Sequence, residues 1–223
     1  MRLLDLFCGA GGAAMGYHRA GFDEIVGVDI KPQPHYPFTF IQADAMTFPL
    51  DGFDAIHASP PCQAYSVMRH LPWLRDREYP MLIGEIRERL VESGTPYVIE
   101  NVMGAPLEAG WLCGLMFGLP IFRHRLFETS FFWLSPGHPS HRGLYVRETG
   151  TLGSRARDMV VKRKSWSLNN NMGGGHRSRE AVLAARLALD VPWMKGNEHS
   201  QAIPPAYTEY IGRQLLAQLR RAE

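Results

Sequence analysis

At 223 residues with 45% hydrophobic content, the chain can bury one substantial core and carry one small appended lobe. No run approaches the roughly 18 to 20 apolar residues that cross a bilayer, and the N-terminus lacks a basic-then-apolar leader, so a soluble cytoplasmic protein with no membrane contact is expected. The formal charge of +2 hides an asymmetry: residues 122 to 179 hold nine Arg and two Lys against Glu128, Glu148 and Asp158. Such a basic lobe is either a solvated face or the footprint of a polyanion.

Short apolar runs at Leu3 to Phe7, Ile25 to Val28, Phe38 to Ile41, Ala55 to Ala58 and Tyr97 to Ile99 are bounded by Gly, Pro or Asp and read as buried parallel strands. Helices are predicted over Gly11 to Ala20 and over Arg77 to Val91, where Leu82, Ile83, Ile86 and Leu90 recur at helical spacing. From Thr129 to Arg177 the pattern gives way to Gly, Pro, Ser, His, Arg and Asn, including Asn169 to Asn171 and Gly173 to Gly175. Regularity returns with a helix over Ser178 to Leu189. A last helix follows Ala202-Ile203-Pro204-Pro205, its stripe of Tyr207, Ile211, Leu215 and Leu219 expected to dock on the sheet. The alternation predicts an α/β fold, a doubly wound and mostly parallel sheet with a small loop-rich basic lobe. Residues 1–127 would form the catalytic and cofactor-binding part, 128–177 the lobe, and 178–223 helices returning to the first part. In such sheets ligands bind beyond the carboxyl ends of the strands.

Two groups of residues fall at those ends. Asp5-Leu6-Phe7-Cys8-Gly9-Ala10-Gly11-Gly12 ends the first strand and opens the first helix. Glycines there let a ligand approach the backbone, and the helix start offers free N–H groups, a signature shared by several nucleotide-cofactor binders. Asp29 ends the second strand, 18 positions after Gly11, where it can accept hydrogen bonds from ribose hydroxyls. Asp44, after the third strand, fits an adenine contact or a turn cap equally.

The second group is chemical. His57-Ala58-Ser59-Pro60-Pro61-Cys62-Gln63 leaves the fourth strand and Tyr97-Val98-Ile99-Glu100-Asn101-Val102 the fifth, so a thiol and a carboxyl group can share one cleft. A lone cysteine is often a small packing residue, but the proline pair fixes an extended backbone that holds Cys62 at a loop edge. Glu100 also reads as a strand-end charge paired to an arginine. Cys8, Cys62 and Cys113 form no metal-ligand spacing, and their odd number argues against a disulfide framework, so no metal site is expected.

The segments Asp5 to Gly12, Pro60-Pro61-Cys62-Gln63, Glu100-Asn101-Val102 and Arg123-His124-Arg125 resemble, in order, the motifs of the cytosine-5 DNA methyltransferase family, and Ala202-Ile203-Pro204-Pro205 looks like its final motif. Short phage or prophage members are the most similar kind. The resemblance implies a reaction in which Cys62 attacks a flipped cytosine and a methyl group passes from S-adenosylmethionine to carbon 5. It gives Glu100, Arg125 and Arg123 roles at the base. Asp5, Phe7, Cys8, Gly9, Ala10, Gly11 and Gly12, with Asp29, Ile30, Asp44, Ala45 and Pro61, would hold the cofactor. Gln63, Ser66 and Asn101 would support the substrate, double-stranded DNA, bound by a monomer. Cys8 and Cys113 otherwise read as packing residues.

The sequence departs from the family pattern in three places. Pro120-Ile121-Phe122 stands where a glutamine usually precedes the paired arginines, Gln201 where the final motif usually has Asn, and Ser178-Arg179-Glu180 only faintly suggests the penultimate motif. The stretch between Arg125 and Ser178 is also short for a recognition domain, which points to a short or relaxed target site. A tRNA cytosine-5 methyltransferase and a catalytically silent nucleic-acid-binding relative are the nearest alternatives. A nicotinamide oxidoreductase would leave Cys62 and the arginine pair without a role.

Overall fold

The computed structural model describes residues 1–66, 77–146, 152–154 and 179–222. Its main sheet has seven strands: β1 (Arg2–Leu6), β2 (Glu24–Asp29), β3 (Thr39–Gln42), β4 (Ala55–Ala58), β5 (Tyr97–Asn101), β6 (Gly110–Leu112) and β7 (Arg125–Thr129). They lie in the order β3-β2-β1-β4-β5-β7-β6. The first five pair in parallel, while β7 runs antiparallel to both β5 and β6. The order therefore reverses between β1 and β4, which opens a crevice beyond their carboxyl ends. A short hairpin of β8 (Leu144–Val146) and β9 (Leu152–Ser154) stands apart from this sheet.

The predicted strands lie within a residue or so of their places, and the parallel half is as expected. The antiparallel edge formed by β6 and β7 is a finding of the structure. Their short, mixed sequences, Gly110-Trp111-Leu112 and Arg125-Leu126-Phe127-Glu128-Thr129, carry little alternation, and their pairing with β5 is a tertiary choice.

The described residues form four α-helices: α1 (Gly12–Ala20), α2 (Ile83–Ser93), α3 (Arg179–Leu189) and α4 (Pro205–Ala222). α2 begins six residues later than the sequence predicts, at Ile83. Pro80 explains the delay, because a proline pushes the residue before it out of the helical region. Alternation in β1 divides the core: Leu3 joins α1 and α4 on one face, while Leu4 and Leu6 meet Ile86 and Leu90 of α2 on the other. The α4 stripe of Tyr207, Ile211 and Leu215 is buried against both α1 and the sheet. Close approach needs small residues there. A Cβ on Gly16 would fall 2.2 Å from the Pro205 carbonyl oxygen and 2.0 Å from the Thr208 hydroxyl.

No helix among the described residues is long and apolar enough to cross a membrane. Of the expected loop-rich stretch, residues 130–143 are irregular and lead into the hairpin, while Asn169 to Asn171 and Gly173 to Gly175 lie outside the described residues. The basic lobe also loses two of its arginines to the interior, since Arg123 and Arg125 are only 4% and 8% exposed.

Candidate active site

Two loops face each other across the switch point. The first runs from Phe7 to Gly11. Phe7 and Gly11 both adopt left-handed backbone conformations, with φ of 57° and 79°. For a phenylalanine this costs about 1 kcal/mol or more, the kind of local strain that gathers at functional turns. At Gly11 a Cβ would lie 2.6 Å from Pro37 and against the Tyr36 ring, so both the φ and the space demand glycine. Gly11 caps α1 without a side-chain hydrogen bond, leaving first-turn N–H groups aimed at the loop.

Asp29 closes this turn. One carboxylate oxygen accepts from Gly9 N (3.0 Å) and the other from Lys31 N (2.9 Å), yet the side chain keeps partial exposure. Ile30 beside it is 65% exposed, a large apolar side chain open to a planar partner. Asp44 is exposed and its carboxylate accepts from Met46 N (2.8 Å), which fulfils the turn-cap reading, and Ala45 is buried beneath it. Asp5 lies deeper than a ligand group: it is fully buried, accepts a hydrogen bond from the Tyr36 hydroxyl (3.2 Å), and its other oxygen has no partner among the described residues. Burial pushes its carboxyl up to about 8, so Asp5 shapes the loop from below. Cys8 is buried, and desolvation raises its thiol far above the ordinary range.

The second loop carries the thiol. Ser59 N donates to Leu6 O (3.1 Å), tying the two loops together. Asn101 Nδ2 donates to the Pro60 carbonyl (2.8 Å) while its Oδ1 accepts from Val102 N (2.9 Å). Asn101 is thus a brace between β5 and the proline pair, not a side chain reaching outward. The Cys62 carbonyl accepts from the N–H groups of Tyr65 and Ser66 (3.1 and 2.9 Å), turning the chain sharply past the cysteine. Pro61 and Ser66 are half-buried and Gln63 is exposed at the rim.

At the end of β5, Glu100 is 6% exposed and pairs with Arg125, Nε to Oε1 at 3.0 Å. Burial raises the Glu100 carboxyl, opposed by Arg125, a hydrogen bond from Ser59 and Arg123. The Cys62 thiol is half-buried. Desolvation and the Glu100 charge raise it, while Arg125 and Arg123 pull it down, so all four groups sense one another. The two readings of Glu100, strand-end ion pair and acid facing the thiol, describe the same geometry.

Arg123 is turned elsewhere. Its guanidinium donates to the carbonyls of His199 (3.3 Å) and Ser200, and the Tyr207 hydroxyl donates to its own carbonyl. Burial and the neighbouring Arg125 lower it to about 9. It clamps the C-terminal segment to the pocket while adding positive charge beside Cys62. The same segment reaches the glycine turn through Trp193, whose Nε1 donates to Ala10 O (2.9 Å).

Sequence reasoning missed a chain of buried polar groups behind Glu100. Tyr17 OH lies 3.0 Å from His57 Nδ1, and His57 Nε2 lies 2.8 Å from Ser59 Oγ, which bonds to Glu100. Desolvation lowers His57 to about 3, so the ring is neutral. One proton arrangement satisfies every member: Tyr17 donates to Nδ1, Nε2–H donates to Ser59, and Ser59 donates to the carboxylate. The signal was a histidine inside a four-residue apolar strand, with a serine two positions on and so on the same face.

The chain is similar to known methyltransferases in part of its sequence and in its fold. Residues 1–106 match the C-5 cytosine-specific DNA methylase family. Type II methyltransferase M1.HphI of Haemophilus parahaemolyticus is 34% identical over 82 residues, covering 29% of this chain and 22% of that protein. Type II methyltransferase M.FnuDI of Fusobacterium nucleatum is 29% identical over 119 residues, covering 47% and 33%. The chain thus spans a third or less of the length of these curated relatives. The fold is similar to that of the S. pombe Dnmt2 methyltransferase (TM-score 0.58, 15% identity, 98% of this chain and 99% of that one). It is also similar to the Entamoeba histolytica methyltransferase EhMeth (TM-score 0.55, 9% identity, 98% of each chain).

Proposed function

Residues 1–106 match the C-5 cytosine-specific DNA methylase family, and from that likeness we propose that the chain methylates carbon 5 of a cytosine flipped out of double-stranded DNA, with Cys62 as nucleophile. The observation that carries this reading is the buried Glu100–Arg125 pair whose charges bear on the Cys62 thiol at the carboxyl ends of β4 and β5.

The residues present suit S-adenosylmethionine as cofactor. Phe7 to Gly12 offer an open backbone and an uncapped helix start, Asp29 a half-exposed carboxylate for ribose hydroxyls, and Ile30 an apolar surface for the adenine ring. Bound there, the cofactor supplies an electrophilic methyl group.

Carbon 5 of cytosine is a weak nucleophile. Addition of the Cys62 sulfur to carbon 6 pushes the ring's π pair toward carbon 5, which can then form its bond to the methyl carbon. Negative charge grows toward N3 and O2 during that addition. Burial raises the Glu100 carboxyl, which favours its donating a proton toward N3 as charge develops there, and Arg125 stabilises that charge, so both bind the transition state better than the ground state. Loss of the carbon 5 proton and departure of the sulfur restore the aromatic ring. Because its environment raises the thiol, Cys62 must give up its proton during attack, and turnover increases with pH until the thiol titrates. Extruding the base costs a few kcal/mol, offset by phosphate contacts from the basic residues between 128 and 177. This small lobe suits a short or relaxed target.

The test pairs labelled cofactor with duplex DNA or tRNA. Wild-type protein should label duplex DNA, and Cys62→Ala should fall below about a thousandth of that rate with cofactor affinity unchanged. A duplex containing 5-fluorocytosine should trap a covalent adduct only when Cys62 is present. Labelling of tRNA alone would move the substrate to RNA, and retained turnover in Cys62→Ala would refute the nucleophile.

A further inference from the structure

Outside the catalytic cleft, the antiparallel edge of the sheet gathers four side chains that sequence spacing did not connect. Cys113 follows β6, His124 precedes β7, and His138 and His141 come from the irregular stretch 130–143. Their nitrogen and sulfur donor atoms all lie within 4.8 Å of one another, with Cys113 Sγ 3.5 Å from His141 Nε2. The imidazole centroids of His138 and His141 are 4.6 Å apart, and those of His124 and His141 5.2 Å. Trp111 and Phe122 enclose the group, Trp111 edge-on to His138 and Phe122 stacked on His141 at 4.1 Å.

We propose that Cys113, His124, His138 and His141 form a structural zinc site. One thiolate and three imidazoles are a closed tetrahedral donor set suited to zinc by softness and number. In such a site the donors sit about 3.3 to 3.8 Å apart, as Zn–N and Zn–S bonds of about 2.0 to 2.3 Å require. The Cys113–His141 separation of 3.5 Å lies in that range and the remaining donors lie within 4.8 Å, so binding requires a small inward turn, most readily of His138, the exposed member. Without a cation the arrangement has little to recommend it, since lone-pair donors converge with a buried thiol among them. With zinc, Cys113 loses its proton to solvent, and its sulfur and three ring nitrogens each donate one lone pair.

The placement says what the ion does. His124 lies between Arg123 and Arg125, so a metal fixing its ring fixes the backbone that aims Arg125 at Glu100 and Arg123 at the C-terminal segment. His138 and His141 tie the chain leading toward β8 to that same edge. All four positions are filled by protein, so the ion organises structure and takes no part in the chemistry. The site stands independently of the methyl-transfer reading.

The test uses the full chain without a histidine tag. Elemental analysis after purification should give one zinc per chain, and cobalt substitution should give tetrahedral d–d absorption with a thiolate charge-transfer band. Cys113→Ser should abolish that band. His138→Ala, at an exposed loop position that leaves the core intact, should weaken zinc binding about tenfold or more, whereas His18→Ala, on the exposed face of α1, should not. Chelation should lower the melting temperature of wild type but not of Cys113→Ser. Zinc absent from the purified chain with no cobalt spectrum, or zinc retained equally by Cys113→Ser and His138→Ala, would overturn the proposal.

Discussion

The parallel half of the sheet and its antiparallel edge divide the work of the site differently. In the parallel half, each candidate residue sits on or just past the end of a strand that the sequence announces: Phe7 to Gly11 after β1, Asp29 on β2, Cys62 after β4, Glu100 on β5. At the antiparallel edge, Arg125 reaches Glu100 from a segment with little periodic signal, while Arg123 beside it is held by partners far along the chain such as His199, Ser200 and Tyr207. Most of the candidate chemistry lies in the first region, and the second supplies one arginine and the alignment.

That division can be broken by substitution. The largest effect after loss of the thiol itself should come from Glu100→Ala, which removes the buried acid. Turnover should fall about 100- to 1000-fold, and stability should drop as well, by about 3–5 kcal/mol, because Arg125 is left as a buried charge without its carboxylate partner. Single-turnover kinetics beside a thermal melt decides it, and near-normal turnover would remove Glu100 from the site.

Arg123→Met should act mainly on stability. It removes the guanidinium hydrogen bonds to the carbonyls of His199 and Ser200, so stability should drop by about 1–3 kcal/mol, with limited proteolysis cutting first near the C-terminal segment. If turnover fell as steeply as in Glu100→Ala at unchanged stability, the division would be wrong.

Ser59→Ala tests the buried relay more gently. Losing one hydrogen bond to the carboxylate should cost about tenfold in turnover, the equivalent of about 1.4 kcal/mol. Since that bond lowers Glu100, its removal moves the Glu100-dependent limb of the pH profile to higher pH. A profile superimposable on wild type would show that the relay does not reach the acid.

The effect with the least bearing on turnover is one of stability alone. Asp5 is raised from 3.8 to about 8 on folding, so its contribution is intact below about pH 4 and is lost as pH rises toward 8. Asp5→Asn has no such titration, and its melting temperature relative to wild type should climb between pH 5 and 8. Parallel curves would mean that the carboxyl is solvated.

These contrasts also explain what could be read from the chain alone. Periodicity and turn residues locate elements, so the five parallel strands, the glycine turn and the proline-braced cysteine were legible, and Glu100 followed from its strand end. Pairing of β6 with β7 depends on contacts distant in sequence, which is why the edge, the inward turn of Arg123 and the convergence of Cys113 with three histidines were not. Counting charges alone put Arg123 and Arg125 in a basic stretch that could be a solvated face, while the family resemblance drew them to the base. Burial decided against the solvated face, because each found oxygen partners inside.

The brace at Asn101 has one more consequence. With the Pro60 carbonyl held by Asn101 and the Ser59 amide held by Leu6, the arch bearing the sulfur is rigid before any ligand arrives. In the proposed reaction, little of the affinity for the duplex is then consumed in positioning the sulfur, and more of it remains to offset pulling a base from its stack.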